Sequence, residues 1–593
     1  MIIKIIYNKN TIIVFVLLVI LSIQCIASMR LKSPTFDEAG HLSSGYSYLK
    51  INDYRLNKNN PPFIKRWTAL PLLFMKLNIP LDHPSWKAAN PTEFGRQFFY
   101  CYNKNADKIL FLGRLQTVLI SLLLGFFVYK WAKELYGNKA GLLALFLYSF
   151  APNILAHSRL ATTDIGFVCF MFIALYYFRR FIIKPSKKNL VIAGIVLGLA
   201  FVSKFTAVIL IPSFLIILSA YIFVNKTRFP KFFERKSFSS QSSLKPIKTY
   251  IIGLIAIFSI GFFVIFIDYN FEMKPLVTEK DDLTKLEVML NRFPYKDNYI
   301  KGKLCNLATT VPLPARTYLT SLGWMSQFTP RLEKDEPVKG HGIFLMGKNS
   351  VNGFWYYILV AFLIKTPIPI LLLLIIAFLT IKKNDLSELY FLLIPVVLLL
   401  LLGLKTNAMA YRYIILPMLP FLYVFVSKVV NIEKIKRKFL VVGLAVLCGW
   451  YLFSSLKIYP HYLAYFNEII GGPKNGYKYL VNSDLDWGQD LKLLKLYMKK
   501  NNIGKIKLSY LGTADPDYYN ISYVRLQGIS GATFDPDVEE NPERDTKPTD
   551  GIIAISATCL QHLNGFYPGY TYDWLKKYKQ IDNIGYSIFI YKI

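Results

Sequence analysis

Two adjacent carboxylates, Asp37 and Glu38, follow the first long apolar run of the chain after only a few residues. A carboxylate so close to lipid loses part of its hydration, which makes it a stronger proton acceptor and suits it to deprotonate a hydroxyl group. A structural role is also open, because Thr35 or Asp37 can cap a helix that continues through Leu49. From this pair alone, the helix cap is the simpler interpretation.

A set of cations recurs at one end of several apolar runs: Arg159, Lys204, Lys365 and Arg412. Taken singly, each is explained as a long side chain whose charged tip reaches the edge of the lipid. Taken together they fit a different need, because a lipid-linked phosphate lies at the interface and its charge must be neutralised while it leaves. The set therefore indicates a phosphate site.

Asp164 stands at the start of another apolar run. An ionisable group at such a position is costly, which makes it a candidate for function. It fits equally well as a helix cap, because a negative charge near a helix N-terminus complements the helix dipole. Both interpretations of Asp164 remain open from the sequence.

The last polar segment contains residues of the kind that contact sugars, an aromatic ring among carboxylate and amide side chains: Asp484, Asp486, Trp487 and Gln489. Calcium binding is a competing interpretation, because Asp484, Asp486 and Asp490 are spaced like the ligands of a calcium-binding loop. An EF-hand loop needs glycine at its sixth position and glutamate at its twelfth, where this chain has Gln489 and Lys495. A plain turn before a helix over 490–500 is the structural alternative, and for Asp484 alone it is the favoured one.

The composition excludes several classes of protein. Of the 593 residues, 53% are hydrophobic and only 18% are charged, so part of the surface must face lipid. The formal net charge of +33 does not indicate a nucleic-acid partner, because the basic residues cluster at one end of alternate apolar runs. The six cysteines are scattered without a CxxC pair or a zinc spacing, so no disulfide framework is implied.

Eleven apolar runs are interpreted as membrane helices, at 11–29, 111–130, 140–156, 165–183, 189–203, 205–224, 249–267, 367–381, 388–404, 413–430 and 439–456. The short run 189–203 meets the next run in a tight re-entry. Basic residues flank the runs on one side, which is therefore cytoplasmic. An odd number of crossings places the N-terminus in the cytoplasm and the C-terminus outside the plasma membrane. The first run is longer than the apolar core of a signal peptide, which favours a retained anchor.

This pattern predicts a mainly α, polytopic membrane core of about eleven helices over residues 1–456. Its outer loops would be 30–110, with short interfacial helices such as Ile64 to Leu77, and 268–354. Residues 457–593 are expected to form a small α/β domain outside the membrane, with a helix at 490–500 and strands at Ile506–Tyr510, Ile552–Ile555 and Tyr586–Tyr591. The segments 236–245 and 531–550 are expected to be a flexible linker and an exposed loop.

The Asp37-Glu38 pair after the first membrane helix, Pro61-Pro62 in the same outer loop, and the run Arg412, Tyr413, Leu416, Pro417 and Pro420 resemble glycosyltransferase family 39. That family includes the protein O-mannosyltransferases and the bacterial aminoarabinose transferase of lipid A. It belongs to the membrane-embedded C superfamily (GT-C), whose members use lipid-phosphate sugar donors. The segments around Tyr459–Glu468 and Leu485–Leu491 look like the bacterial branch, and the likeness covers nearly the whole chain.

The resemblance implies a role for each candidate residue. Asp37 would be the general base or would orient the acceptor, and Glu38 would support it or contact the sugar. Asp164 resembles the second acidic residue of the family, while Lys204 and Arg412, with Arg159 as a further candidate, would bind the lipid phosphate. One departure is Asn59-Asn60, which stands where the aminoarabinose transferase has Glu-Lys before its Pro-Pro. This exchange argues against a divalent metal and against a cationic donor contact there.

The resulting hypothesis is the transfer of a sugar from a polyprenyl-phosphate donor to a hydroxyl group on the outer face of the membrane, by direct inverting displacement. The acceptor would be a glycan, a lipid or a protein. No P-loop or strand-linked GxGxxG is present, in keeping with a donor that is not a nucleotide. The main alternative is a secondary transporter or lipid flippase. Two observations argue against it: the charged residues lie at helix ends, and the two halves of the sequence lack symmetry. A non-catalytic glycolipid receptor is a third alternative.

Overall fold

The computed structural model describes residues 9–225, 245–278, 298–327, 342–382, 386–405, 410–431, 437–529, 543 and 546–593. The α-helices, numbered α1 to α21 in chain order, are Lys9–Met29, Glu38–Ile51, Phe63–Ala69, Pro84–Lys87, Pro91–Arg96, Ala106–Tyr136, Asn138–Ser149, Pro152–Ser158, Asp164–Ile183, Lys187–Phe201, Leu210–Asn225, Lys245–Asp268, Asn298–Thr310, Arg316–Gln327, Tyr357–Lys365, Ile368–Leu379, Leu386–Lys405, Tyr411–Val426, Arg437–Lys457, Leu491–Lys500 and Ala557–Phe566. The strands β1 to β9 are Met273–Pro275, Pro312–Pro314, Ile343–Leu345, Lys348–Ser350, Ile506–Ser509, Tyr523–Arg525, Ile552–Ser556, Asp582–Ile584 and Ile588–Lys592.

The chain is a multi-pass membrane protein of the predicted class, with a helical core and a small C-terminal sheet. Within the described residues, seven helices are long and apolar enough to cross a membrane, or nine if each of two bent helix pairs is one span. This number is smaller than the predicted eleven. The run at 189–203 forms α10, which has only 15 residues, and the apolar part of α19 is the short stretch Val441–Lys457.

The two bent pairs are broken at prolines. Helices α7 and α8 meet at 63° where Pro152 begins α8, and α15 and α16 meet at 107° around Pro367. Proline disfavours helical geometry in the residue before it and removes a backbone donor, so each apolar run turns there instead of continuing. Lys365 is the last residue of α15 and lies at the break of the second pair, whereas Arg159 follows the C-terminal end of α8.

Helices α9 and α18 lie at the centre of the bundle. Their apolar windows are 83% and 89% buried, whereas those of α1 and α12 are 39% and 33% buried. The outer helices expose large apolar side chains such as Phe15 and Ile255, which suits a surface that faces lipid. The N-terminal ends of the two central helices contribute Asp164 and Arg412 to the site described below.

The C-terminal segment contains a five-stranded sheet in the order β6-β5-β7-β9-β8. Strands β6, β5 and β7 are parallel, and β9 pairs antiparallel with β7 and β8. The helix and the three strands predicted for this segment are present as α20, β5, β7 and β9. The predicted loop 531–550 and the predicted linker 236–245 fall mostly outside the described residues. The division of the chain at residue 456 stays a prediction.

The C-terminal segment is attached by backbone hydrogen bonds to the segment between α1 and α2. Ser33 N donates to Gln489 O at 3.0 Å, and Phe36 N donates to Trp487 O at 2.9 Å. Lys32 also forms a buried ion pair with Asp490. These contacts fix the backbone immediately before Asp37, so both ends of the chain build the same region.

Candidate active site

One guanidinium joins the two predicted catalytic aspartates. Arg412 Nη2 lies 3.3 Å from Asp37 Oδ2, and Arg412 Nη1 lies 3.3 Å from Asp164 Oδ2. The side chain of Asp37 is 32% exposed, whereas that of Asp164 is 1% exposed. The structure therefore brings together residues that are far apart in the sequence, with one carboxylate accessible and the other enclosed.

Lys204 completes this cluster from behind Asp164. Its Nζ lies 2.5 Å from Asp164 Oδ1, and the other oxygen, Oδ2, also accepts a hydrogen bond from Thr162 Oγ1 at 3.0 Å. Lys204 is extended and follows the end of α10, in the predicted re-entry. Its ammonium is 8% exposed, and burial of a cation is tolerated when a carboxylate lies this close. We call Asp37, Asp164, Lys204 and Arg412 the carboxylate–cation cluster.

Two aromatic rings enclose the cations of this cluster. The Arg412 guanidinium lies 4.0 Å from the ring centroid of Trp487 and 4.6 Å from that of Tyr413. Lys204 Nζ lies 4.3 Å from the Tyr413 centroid, and Arg412 Nη2 donates to Tyr413 Oη at 2.8 Å. These contacts are attractive because the face of an aromatic ring is electron-rich. Arg412 Nε is buried and finds no partner within the described part of the chain, which leaves one donor for a ligand.

Asp37 does not use its carboxylate as a helix cap. It occupies the N-cap position of α2, but its side chain accepts no capping hydrogen bond. The structural interpretation of this aspartate is therefore wrong for its side chain, which instead faces Arg412. A partly exposed carboxylate that has one long ion pair within the described ranges can exchange that partner for another.

Glu38 is fully buried, and its two oxygens are occupied by the protein. Arg114 donates to Oε1 at 2.8 Å and to Oε2 at 2.6 Å, Ala161 N donates to Oε1 at 2.8 Å, and Thr35 N donates to Oε2 at 2.8 Å. Of the two predicted roles, this geometry suits the support of Asp37 better than a sugar contact, and the role of Glu38 stays a prediction. The residue anchors the segment that carries Asp37 to α6 and to the loop before Asp164.

Arg159 lies apart from the carboxylate–cation cluster. Its guanidinium lies 5.4 Å from the Tyr462 ring centroid, and among the described residues it forms no ion pair. Its Nε and Nη1 are buried without a hydrogen-bond partner in the described ranges. The structure thus does not bring Arg159 to Lys204 and Arg412, the other predicted phosphate-binding cations.

Asp484, in the tail, forms buried hydrogen bonds with residues of the membrane core. It is 2% exposed and accepts hydrogen bonds from Tyr357 Oη at 2.6 Å and from Tyr411 N at 2.9 Å. Lys365 donates to the backbone oxygen of the same residue and to Leu463 O. Asp484 therefore connects the tail to α15 and to the start of α18, next to Arg412.

Asp486 and Gln489 are also buried, at 1% and 3% exposure. Asp486 Oδ2 accepts from Thr558 N at 3.0 Å, and Gln489 Oε1 accepts from Trp487 N at 2.7 Å. Burial raises the pKa of the Asp486 carboxyl to about 7. Asp486 and Gln489 thus hold the tail together, whereas the Trp487 ring contacts Arg412, and sugar binding by these residues stays a prediction.

His41 lies beside the cluster and was not predicted. It follows Asp37 by four residues in α2, so both face the same side of the helix. His41 is 5% exposed, and its Nδ1 is buried without a partner among the described residues. Burial lowers the pKa of His41 to about 4, and the charges of Asp37, Lys65, Asp164 and Arg412 also act on it. The imidazole is therefore neutral above about pH 4. The spacing of four residues between Asp37 and His41 is the feature of the sequence that could have identified it.

Lys65 is enclosed, although it lies in the predicted interfacial segment Ile64 to Leu77. It is 1% exposed, and its Nζ donates to Asn57 O at 2.6 Å and to Asn60 O at 2.7 Å. Burial lowers the pKa of its ammonium well below the usual range. Asn60 Oδ1 in turn accepts from Thr163 Oγ1 at 3.4 Å, so the Asn59-Asn60 segment lies beside Asp164. In the described residues, no three His, Cys, Asp or Glu side chains gather as a metal site would require.

Residues 106–238 match the family model described as dolichyl-phosphate-mannose-protein mannosyltransferase. The match confirms the resemblance to glycosyltransferase family 39. It includes Asp164 and Lys204 of the cluster, together with Arg114 and Arg159. Asp37, Arg412 and the C-terminal segment lie outside the matched residues. The likeness to the bacterial branch stays a prediction.

The chain is also similar to solved structures at low identity. The oligosaccharyltransferase AglB from Archaeoglobus fulgidus, in complex with an inhibitory peptide and a dolichol-phosphate, aligns with a TM-score of 0.43 and 12% identity, over 74% of this chain and 55% of that chain. This chain thus spans a little over half the length of the archaeal protein. ArnT from Cupriavidus metallidurans bound to undecaprenyl phosphate aligns with a TM-score of 0.30 and 11% identity, over 97% of each chain. No curated protein sequence matches the chain.

Proposed function

We propose that this protein is a glycosyltransferase that moves a sugar from a polyprenyl-phosphate carrier to an acceptor hydroxyl group on the outer face of the membrane. The observation that supports this function best is the link from Arg412 to both Asp37 and Asp164, with Lys204 on the far side of Asp164. A proton acceptor and two phosphate-binding cations are what such a transfer requires at one place. The family match favours a lipid-phosphate donor over a nucleotide.

In the proposed reaction, the acceptor oxygen attacks the anomeric carbon while the bond from that carbon to the phosphate oxygen breaks. The hydroxyl proton moves to Asp37, and the electron pair of the broken bond leaves with the lipid phosphate. Arg412 and Lys204 stabilise the negative charge that grows on this leaving group. One displacement inverts the configuration at the anomeric carbon and needs no covalent intermediate on the protein.

The charges of the cluster explain how Asp37 would become available. Two carboxylates and two cations balance each other before the donor binds. The Asp37–Arg412 pair, at 3.3 Å, is longer than the 2.7–2.9 Å typical of charge-assisted hydrogen bonds. A phosphate at Arg412 would therefore displace Asp37, whose freed carboxylate then accepts the proton. Asp164 keeps its shorter bond to Lys204 and holds both cations in place.

The proposal also assigns the orientation. The N-terminus before α1 would be cytoplasmic, and residues 457–593 would form an extracytoplasmic domain that closes over the outer ends of a core formed by 1–456. The cluster lies where α9 and α18 begin and where the tail contacts the start of α18, so it would open to the outside. Asp164 and Arg412 at these helix ends, rather than mid-span, distinguish this arrangement from the ion path of a transporter.

The direct test is sugar transfer in vesicles that contain the purified protein. A panel of radiolabelled polyprenyl-phosphate sugars serves as donors and the host membrane fraction supplies acceptors. Asp37→Asn should reduce transfer by at least about 100-fold while the protein still inserts into the membrane. The matched control is Asp82→Asn, because Asp82 is an exposed carboxylate of the same outer loop that accepts from Tyr102 Oη.

Near-normal transfer by Asp37→Asn would remove this residue from the proposed role. Counterflow of a solute across the vesicle membrane by the unaltered protein, with no transfer from any donor, would favour the transporter instead. Labelling of a cysteine at position 37 from the cytoplasmic side alone would contradict the orientation.

A further inference from the structure

The helix that carries Arg412 begins without a cap of its own. The N-cap position of α18 is Ala410, whose backbone is extended and whose methyl side chain accepts no hydrogen bond. The first N–H groups of a helix have no partner within the helix, and a buried N–H group left open is costly. Arg412 is the second residue of α18, so the direction of its side chain depends on how this first turn is held.

The C-terminal segment supplies the missing cap. Asp484 Oδ1 accepts a hydrogen bond at 2.9 Å from Tyr411 N, the first N–H group of α18, although the two residues are 73 positions apart. A carboxylate at a helix N-terminus also complements the positive end of the helix dipole. Asp484 thus does for α18 what a polar side chain at position 410 would otherwise do.

Protein groups fix this capping carboxylate in turn. Its second oxygen, Oδ2, accepts from Tyr357 Oη at 2.6 Å, and the backbone oxygen of Asp484 accepts from Lys365 Nζ. Both donors belong to α15, and the whole group is buried. Because both carboxylate oxygens already have partners, Asp484 is better suited to support a neighbour than to bind a substrate.

The same segment also holds the side chain of Arg412. Trp487 follows Asp484 by three residues, and its ring centroid lies 4.0 Å from the Arg412 guanidinium. One contact therefore fixes the backbone next to this arginine, and the other covers its charged end. Both contacts remain when a phosphate displaces Asp37 in the proposed reaction. An arginine held in this way needs little reorganisation while charge grows on the leaving group.

We infer that Asp484 is a positioning residue for the sugar transfer: by capping α18 from the tail, it holds Arg412 in the orientation that binds the lipid phosphate. The inference rests on the proposed function and adds to it a residue that touches neither donor nor acceptor. It differs from the sugar-contacting role predicted from the sequence. A sugar contact would act on the acceptor directly, whereas a positioning residue acts only through Arg412.

A double-mutant cycle with Arg412→Lys measures this dependence. Asp484→Ala removes the cap, whereas Asp484→Asn keeps an oxygen for Tyr411 N. Tyr357→Phe is a milder second variant, because it removes only one bond to the carboxylate. The control is Tyr572→Phe, which removes a buried hydrogen bond elsewhere in the tail. Each change is made in the parent and in Arg412→Lys, and thermal melts in nanodiscs identify the variants that fold.

In the parent, Asp484→Ala should lower kcat for transfer about tenfold, which is the size expected for a lost helix cap, and Asp484→Asn should lower it less. In Arg412→Lys, the same substitution should lower kcat less than about twofold, because the arginine that it positions is gone. Tyr357→Phe should show this pattern on a smaller scale. Tyr572→Phe should have a small effect that is equal in both backgrounds.

A tenfold loss by Asp484→Ala in both backgrounds would overturn the inference, because Asp484 would then act independently of Arg412. An unchanged kcat with a raised KM for the acceptor would also overturn it and would make Asp484 a sugar contact. If Asp484→Ala fails to fold, Asp484→Asn and Tyr357→Phe take its place, and a parent-like kcat in both would refute the positioning role.

Binding of undecaprenyl phosphate that carries no sugar separates this inference from the proposed function. Asp484→Ala should weaken binding of the radiolabelled lipid about tenfold in the parent and little in Arg412→Lys. If this holds but no donor supports transfer, the proposed chemistry is wrong and the positioning role stands. If Asp37→Asn abolishes transfer but Asp484→Ala changes neither lipid binding nor kcat, the positioning role is wrong and the proposed chemistry stands.

Discussion

Replacing Arg412 by lysine tests the geometry of the site without changing its charge. Arginine reaches Asp37, Asp164 and Tyr413 at once because its nitrogens form a planar fork. The lysine ammonium is a single point on a flexible stem. In Arg412→Lys it can remain with the buried Asp164 or approach Asp37, but it cannot hold both at the observed separation.

The expected magnitude follows from the hydrogen bonds that are lost. In the transition state, where the phosphate has displaced Asp37, lysine at position 412 would bind either the phosphate or Asp164 and lose the other, together with the bond to Tyr413. Hydrogen bonds to charged groups contribute about 1.5–3 kcal/mol, and the two carboxylate contacts are long at 3.3 Å, so the lower end applies. Two such losses amount to about 3 kcal/mol, or roughly a 100-fold lower rate if they are made in the transition state.

The assay is the transfer rate at saturating and at limiting lipid donor, which separates kcat from KM. A loss in kcat with little change in KM would mean that the fork acts mainly on the departing phosphate. Arg55→Lys is the control, because Arg55 is 54% exposed and its pair with Asp53 lies at the surface, in the loop between α2 and α3. If Arg412→Lys retained more than about a third of the parent activity, the forked geometry of the arginine would have no part in the rate.

Two further predictions concern Glu38 and His41. Glu38→Gln leaves Arg114 buried without its charge partner, so the unfolding free energy measured in thermal melts should fall by about 3 kcal/mol. The control Asp53→Asn removes a partner from an exposed pair and should change it little. Equal effects of the two variants would mean that the buried pair is no more important than the exposed one. Burial lowers the pKa of His41 from 6.5 to about 4, so the folded protein binds fewer protons than the unfolded one between these values and loses stability as pH falls from 6.5 to 4. In thermal melts at pH 7 and pH 5, His41→Gln should lose less stability than the parent protein, and an equal loss in both would exclude His41 as its source. The raised pKa of Asp486 acts in the opposite direction, but its contribution is the same in both proteins and cancels in the comparison.

Residue type and position at a helix end were enough to predict the members of the cluster. Asp164, Lys204 and Arg412 are charged groups beside long apolar runs, where only a partner makes them tolerable. Their convergence depends on the packing of α9 and α18 at the centre of the bundle, which local sequence does not encode. The strands β5, β7 and β9 were predicted for the opposite reason, because their apolar patterns are local.

Residue type alone does not place side chains where tertiary contacts decide between equivalent residues. Asp37 and Glu38 have the same chemistry, and their different positions depend on Arg114, a distant residue of α6 that captures Glu38. The tail residues Asp484 and Asp486 have the composition of a sugar-binding surface, but their neighbours Tyr357 and Thr558 bury them. No pattern within one segment could distinguish these outcomes.

The stacking of Trp487 on Arg412, and the bond from Phe36 to the Trp487 backbone, have a consequence for biosynthesis. A ribosome delivers residue 37 to the membrane long before residue 487 exists. A nascent chain that has inserted most of its helices therefore still lacks one wall of the cluster. Only after translation has passed the tail, and the tail has folded back on the segment between α1 and α2, is the cluster complete.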